Sequence, residues 1–201
     1  MPAETSTPTG ARCAVNAILI GADREQSAAV FAGFALPWRA EPVSVHRADD
    51  AEAACGWLGT VVEPAETDGL RFPCGLLHLW RSDLFQQHVM LLGSCQVTVV
   101  VLSVDEVGIT AGRRLLEELR AIRPDGDVLV AALHEGGVLA PEPADIVEFL
   151  GELGTDLRLD VVTVQLGSRL DNHRLAHSLR LSARRSLDRI WQSGDALDWS
   201  A

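Results

Sequence analysis

The first residues whose types and spacing could do chemistry follow the apolar segment 17–20. Gly21 ends that segment and a helical pattern follows, as in a phosphate-binding loop of the form G-x-x-x-x-G-K-[ST]. Such a loop would require glycine, lysine and a hydroxyl residue where the chain has Gln26, Ser27 and Ala28. The segment is therefore predicted to be only a strand-to-helix turn. Replacing Ser27 with Lys and Ala28 with Thr at this expected surface would change stability by less than about 1 kcal/mol.

The basic side chains are all arginines. Counting along the chain, arginine alone accounts for the Lys+Arg total of 17, so there is no lysine. Lysine contacts with β- and γ-phosphates, lysine Schiff bases and kinase-type lysines are thereby excluded. We expect no catalytic residue and no cofactor.

The other polar groupings lack the geometry of a site. His173 and His177 are spaced i, i+4, but Arg174 stands where H-E-x-x-H has its glutamate, so two surface histidines are expected and no metal site. The adjacent acidic residues at 105–106 and at 117–118 would point apart on a helix. The 4 cysteines show no C-x-x-C spacing and are expected to be buried free thiols.

Composition limits the partners. The formal net charge of −11 argues against binding to a nucleic-acid backbone or to anionic lipid. No apolar run approaches the roughly 18 residues that a membrane span needs, and residues 1–12 lack the apolar core of a signal peptide. We therefore expect an intracellular protein with no membrane span.

Two kinds of apolar pattern alternate along the chain and predict an α/β fold, with a mostly parallel sheet and helices on both faces. The predicted strands, mostly continuous apolar runs typical of strands buried on both faces, are residues 17–20, 75–80, 97–104, 128–133 and 161–165. Helical patterns cover residues 23–35, 49–58, 83–92, 109–122, 143–153 and 171–191. The 201 residues suit a single domain over 13–192, between a disordered tail at 1–12 and a C-terminal tail at 193–201.

One segment departs from this alternation. Residues 60–80 contain two β-prone runs around Asp68-Gly69, a dipeptide typical of tight hairpin turns. The sequence therefore predicts one antiparallel hairpin strand within the otherwise parallel sheet.

This order of elements resembles the small-GTPase (Ras-like) superfamily over about residues 14–192. The segments GLLHLW (75–80) and CQVTVVVLSVDE (95–106) are similar to that superfamily's passage from the third strand through the second switch to the central strand. The resemblance implies a Ras-like P-loop-NTPase topology in which a β-hairpin leads into the third strand.

The nucleotide-binding motifs of the superfamily are absent at the matching positions. Where D-x-x-G senses the γ-phosphate, the chain reads RSDL (81–84), and where N-K-x-D reads guanine, it reads HEGG (134–137). LGS (166–168) replaces the serine-alanine-lysine turn. In the first loop Asp23 and Glu25 add negative charge, which only Arg24 and the helix N-terminus oppose. With all four motifs missing, we expect no GTP binding.

A receiver domain of two-component signalling is the competing resemblance. PVSVHRADDAEAACGWL (42–58) looks like its second strand and helix, and residues 99–124 look like its third strand and helix. Gly21-Ala22 stands where a receiver needs its acidic pair, and Ser103 sits near the phospho-acceptor position. The predicted hairpin has no counterpart in a receiver, so the degenerate GTPase is the preferred interpretation.

The last predicted helix has two faces. At about 100° per residue, an apolar stripe runs along Leu175, Leu179, Ala183, Leu187 and Ile190. The arginine-rich opposite side is most simply a solvated face, but it also includes a leucine, and arginines beside an exposed leucine are typical of contacts with an acidic protein surface. Our candidate protein interface is Arg180, Leu181, Arg184, Arg185 and Arg189. Replacing its four arginines with Glu would then leave the monomer folded and abolish partner binding.

These observations predict a non-catalytic pseudo-GTPase that acts as an interaction or assembly scaffold with other protein subunits. Centromere protein M-like proteins of the kinetochore and diverged bacterial polarity-type GTPases, which bind roadblock-type partners, are both similar in pattern. The first would imply a nuclear location and the second a cytoplasmic one. A degenerate receiver-like signalling domain and a nucleotide-binding enzyme with a relocated site are the alternatives.

Overall fold

A computed structural model describes residues 15–21, 23–35, 43–48, 74–79, 95–124, 126–134, 141–151 and 157–192. The two predicted tails lie outside these residues. So do the helices expected at 49–58 and 83–92, and the first run of the expected hairpin.

Strands and helices alternate through the described residues, and the predicted α/β fold is confirmed. In chain order the elements are β1 (Val15–Gly21), α1 (Arg24–Ala35), β2 (Val43–Ala48), β3 (Cys74–Leu79), β4 (Val97–Ser103), α2 (Glu106–Ile122), β5 (Asp127–His134), α3 (Pro143–Leu150), β6 (Arg158–Gln165) and α4 (Arg169–Gln192). β2 corresponds to the second strand of the receiver-like pattern and was not among the clearest strands of the sequence.

The described strands form one sheet in the order β2-β3-β1-β4-β5-β6. Every neighbouring pair is parallel. This strand order differs from that of a receiver domain, in which the second strand lies beside the first. Here β3 lies between them.

The predicted antiparallel hairpin is wrong. Cys74 of β3 aligns with Val15 of β1 on one side and with Val43 of β2 on the other, and both pairings are parallel. A strand has only two hydrogen-bonding edges, so β3 has none left for an antiparallel partner from residues 60–67. The Asp68-Gly69 signal is local, and it carries no information about which distant strands compete for the edges of β3.

Helices cover both faces of the sheet, as predicted. On one face, Ile18 and Val100 pack with Leu116 of α2 and Ile146 of α3 in a single buried cluster. On the other face, a second buried cluster joins the sheet to α1 and α4 through Leu19, Val99, Val30 and Leu179. Alternate residues of β1, β4 and β5 therefore face the two layers, which explains the continuous apolar runs of β1 and β4.

Candidate functional site

The carboxyl ends of β1 and β4 are the place where a sheet of this kind would bind a ligand. The two strands are neighbours in the sheet. The helix that follows β1 packs on one face and the helix that follows β4 packs on the other. Ligands of open α/β sheets bind in the crevice at such a switch point, next to the N-termini of the two helices.

At the β1 side of this crevice, the chain supplies its own anion. The Asp23 carboxylate accepts a hydrogen bond of 2.7 Å from the backbone N–H of Gln26. α1 begins at Arg24, directly after Asp23, so the connection from Gly21 is short. The carboxylate therefore occupies part of the helix N-terminus that a phosphate would need.

Gly21 is required for packing. A Cβ atom at this position would lie 2.9 Å from the Cβ of Ser27 and 3.2 Å from the Cβ of Val101. Ser27 is only 2% exposed, and its hydroxyl donates to the carbonyl of Arg24 at 3.1 Å. The close approach of α1 to β1 and β4 explains this glycine without a ligand. It also corrects our expectation that Ser27 lies at the surface.

The β4 side has the same arrangement. Asp105 caps α2 by accepting the N–H of Gly108 at 2.7 Å. The Ser103 hydroxyl, followed by the Gly108 N–H, stabilises the carboxylate and lowers the pKa of Asp105 from its ordinary value of 3.8. A Cβ at Gly108 would collide with Ser103. Ser103, at the receiver-like phospho-acceptor position, therefore lies against the capped start of α2.

A third cap lies at the end of β6. The Ser168 hydroxyl accepts the N–H of Asp171 at 3.3 Å, and the Asp171 carboxylate accepts the N–H of Gln165 at 3.2 Å. Gly167 has a φ of 82°, a backbone conformation that favours glycine. The LGS tripeptide at 166–168 thus lies in a turn from β6 into α4, and hydrogen bonds among Gln165, Ser168 and Asp171 hold that turn.

The carboxyl edge is thus poorly suited to a phosphate. Asp23, Asp105 and Asp171 place negative charge at three helix N-termini, where an anionic ligand would otherwise gain from the helix dipole. Within the described ranges, no three His, Cys, Asp or Glu residues come together to hold a metal ion.

The opposite, amino edge of the sheet contains two clamps that sequence reasoning missed. In the first, Arg189 forms an ion pair with Asp127 at the start of β5, and the Ser186 hydroxyl donates to the same carboxylate. In the second, Arg185 pairs with Asp160 of β6, and the Ser182 hydroxyl donates to it at 3.0 Å. Each clamp joins a Ser-x-x-Arg pair on α4 to one strand aspartate.

Two of the five predicted interface residues therefore bond to strands of the sheet. The helical projection of the sequence places Arg185 and Arg189 on a face that points away from the sheet, but in the structure both bond to strands of the sheet. The sequence contains a signal for these contacts, because Ser-x-x-Arg occurs twice in succession, at 182–185 and at 186–189. It did not reveal which strand carboxylates lie opposite, since these are distant in sequence.

The other three interface candidates lie further towards the N-terminus of α4. Leu181 is 46% exposed, Arg184 is exposed, and Arg180 is half-buried beside the ring of His177. The predicted apolar stripe is confirmed at its described side chains, because Leu175, Leu179 and Ala183 are buried; the side chains of residues 187 and 190 lie outside the described part.

Some simpler expectations also hold. His173 and His177 are both exposed. Cys95 is buried and forms no disulfide, as expected, and it is the cysteine whose side chain the structure describes. Within the described residues, every helix is too short or too polar to cross a bilayer.

Comparison with known proteins identifies no family. No protein-family model matches the chain, and no curated protein matches it. Among solved structures, rubredoxin oxygen:oxidoreductase from the anaerobe Desulfovibrio gigas is similar, with a TM-score of 0.44 and 11% sequence identity. The match covers 89% of this chain and 37% of that chain, so the chain spans little more than a third of that protein. Similarity at this level carries no conclusion about activity.

Proposed function

We propose that the chain is a non-catalytic pseudo-GTPase that works through protein contacts as a subunit of a larger intracellular assembly. One observation carries the proposal. The helix N-termini on both sides of the β1–β4 crevice are capped by the chain's own carboxylates, Asp23 and Asp105. A nucleotide phosphate at this crevice would meet like charge where such sites offer open N–H groups and a lysine.

Exposed apolar side chains support the contact role. Val107 is 80% exposed, Leu166 45% and Leu170 60%, and all three lie at the carboxyl edge. Leu181 adds an exposed leucine beside Arg184 on α4. Large apolar groups on the surface are typical of protein contacts, and arginine beside leucine suits an acidic partner surface.

Thermal unfolding with and without GTP, GDP or ATP and Mg²⁺ tests the first half of the proposal. A nucleotide present at 100 times its Kd would add about 2.7 kcal/mol of stability. We expect no change in melting temperature with any of the three. A clear upward shift would instead favour the nucleotide-binding enzyme with a relocated site.

Pull-down of a defined complex from the native host tests the second half. Leu181→Glu with Arg184→Glu should abolish capture of the partner if it binds the outer face of α4. Arg174→Glu is the matched control, since Arg174 is 62% exposed on the same helix and contacts Asp171 near its start. Val107→Glu with Leu170→Glu distinguishes a partner bound at the carboxyl edge. Capture that survives both double variants would contradict the proposal.

A further inference from the structure

β6 is the last strand of the sheet that the described residues form. The strand registers show which backbone groups of β6 point to its outer edge. In parallel sheets, alternate residues direct their N–H and C=O groups to the same neighbouring strand. The N–H of Val104 donates to the carbonyl of Leu133 at 2.8 Å, so the odd-numbered residues of β5 face β4. Even-numbered residues of β5 therefore face β6.

The β5–β6 register completes the assignment. Val130 is aligned with Val161, so its backbone groups bond to the residues on either side, Asp160 and Val162. The groups of Val161 and Thr163 consequently point outward. Two further bonds agree with this assignment: the N–H of Leu159 donates to Leu157 at 2.9 Å, and the N–H of Gln165 donates to Asp171 at 3.2 Å. Neither N–H serves β5.

At the two ends of this outer edge, the N–H groups of Leu159 and Gln165 are thus already bonded within the chain. Among the residues that the structure describes, nothing pairs with the N–H and C=O groups of Val161 and Thr163. β6 contains no proline, and the carboxylate of its one acidic residue, Asp160, is held by Arg185.

We propose that the outer edge of β6 pairs with β6 of a second copy of this chain. The two strands would run antiparallel about a two-fold axis at Val162, so that Val161 of each copy lies opposite Thr163 of the other. This register forms four backbone hydrogen bonds and uses the N–H and C=O groups of Val161 and Thr163 in each copy. A shift of the axis to Val161 or Thr163 would require the N–H of Leu159 or Gln165, which already donate within their own chain.

Charge selects the same register. An axis at Asp160 would set two carboxylates against each other, whereas the axis at Val162 sets Asp160 opposite Val164 of the second copy. The residues of the paired stretch are then Val161, Val162 and Thr163, which are β-branched and suited to strand pairing. Because each copy has a net charge of −11, added salt should strengthen the dimer.

Sedimentation equilibrium of the full chain over a range of concentrations tests the proposal. We expect a monomer–dimer equilibrium. Thr163→Pro removes an outward N–H without removing a bond to β5, and it should raise the dimer dissociation constant about tenfold or more. Thr163→Val keeps that N–H and should dimerise like the natural chain. A chain that stays monomeric, or a dimer unaffected by Thr163→Pro, would overturn the proposal.

A cross-linking pair keeps the test decisive if Thr163→Pro does not fold. Val162→Cys would face the same residue of the second copy across a non-hydrogen-bonded pair, where Cα atoms lie about 4.5 Å apart. Thr163→Cys would lie two residues out of step with its counterpart, beyond disulfide reach. Mild oxidation should therefore link Val162→Cys and not Thr163→Cys, against the background of the natural chain. The reverse result, or Val162→Cys linked instead to a different protein in host extract, would refute pairing of two copies.

Discussion

The two edges of the sheet use aspartate in opposite ways. At the carboxyl edge, Asp23, Asp105 and Asp171 accept backbone N–H groups, and the first two stay exposed to solvent. At the amino edge, Asp127 and Asp160 are held by arginine and serine side chains of α4.

Burial explains the different partners. The Asp127 side chain is only 4% exposed. A buried carboxylate requires a charged partner as well as hydrogen bonds, because removal from water penalises its charge strongly. A carboxylate in solvent at a helix N-terminus needs only the N–H groups and the dipole. The carboxyl edge is thus shaped by local chain signals, and the amino edge by contacts between distant elements.

The largest expected effect lies at the amino edge. Arg189→Ala would leave Asp127 buried without its charged partner and should lower the free energy of unfolding by about 3 kcal/mol. Arg185→Ala is the matched control, because its partner Asp160 is 36% exposed, and it should cost about 1 kcal/mol or less. Urea denaturation at neutral pH measures both.

A double variant checks the reason for the difference. Adding Asp127→Asn to Arg189→Ala removes the unpaired charge and should restore part of the lost stability. Equal losses for the two arginine variants would mean that burial does not distinguish the clamps. The clamps also revise our expectation for the fourfold Arg→Glu variant, which should now unfold because Glu would face Asp127 and Asp160.

Ser27→Lys should have the next largest effect. The side chain at this position is enclosed between α1, Gly21 and Val101, so a lysine should destabilise the chain by about 2–3 kcal/mol through overpacking and partial burial of charge. Ala29→Lys, at an exposed position of the same helix, should change stability by less than about 0.5 kcal/mol. If both variants unfold at the same urea concentration, the result would contradict the close packing of Ser27 between α1 and β1.

A smaller loss is expected from the helix caps. Asp23→Ala removes the acceptor for the Gln26 N–H and should lower stability by about 1 kcal/mol. Asp23→Ser supplies another capping oxygen and should remain close to the natural chain. Thermal unfolding of the two variants compares them, and an equal loss in both would show that the negative charge of Asp23, rather than its cap, is important.

The smallest effect concerns pH. The pKa of Asp105 is lower in the folded chain than in the unfolded chain, so this carboxylate contributes stability above its unfolded pKa. The contribution is lost as pH falls through the folded pKa. Between neutral pH and about pH 3, the natural chain should therefore lose slightly more stability than Asp105→Asn. Urea unfolding midpoints at the two pH values provide the measurement, and parallel pH profiles would contradict the assignment.

Local patterns were enough to predict most described elements. The apolar runs at 97–104 and 128–133 became β4 and β5 with shifts of one residue at their ends. Asp23 and Pro143, at the starts of two predicted helices, lie at the starts of α1 and α3. These signals act within a few residues of the chain, so they can be recognised without the tertiary structure.

The carboxyl edge was partly predictable for the same reason. The missing motif residues showed that Gly21 does not open a phosphate-binding loop, and Asp23 was identified as unfavourable charge. The packing role of Gly21 was not predictable. It depends on Val101, which lies on a strand 80 positions further along the chain.

By itself, the sequence determined the absence of lysine chemistry, the α/β alternation and the buried stripe of α4, because composition and periodicity are properties of the chain alone. The tertiary structure decided the parallel pairing of both edges of β3, the burial of Ser27 and the partners of Arg185 and Arg189. Each of these depends on which distant elements compete for the same edge or the same charge. That competition is resolved only when the whole sheet is assembled, so no local pattern records its outcome.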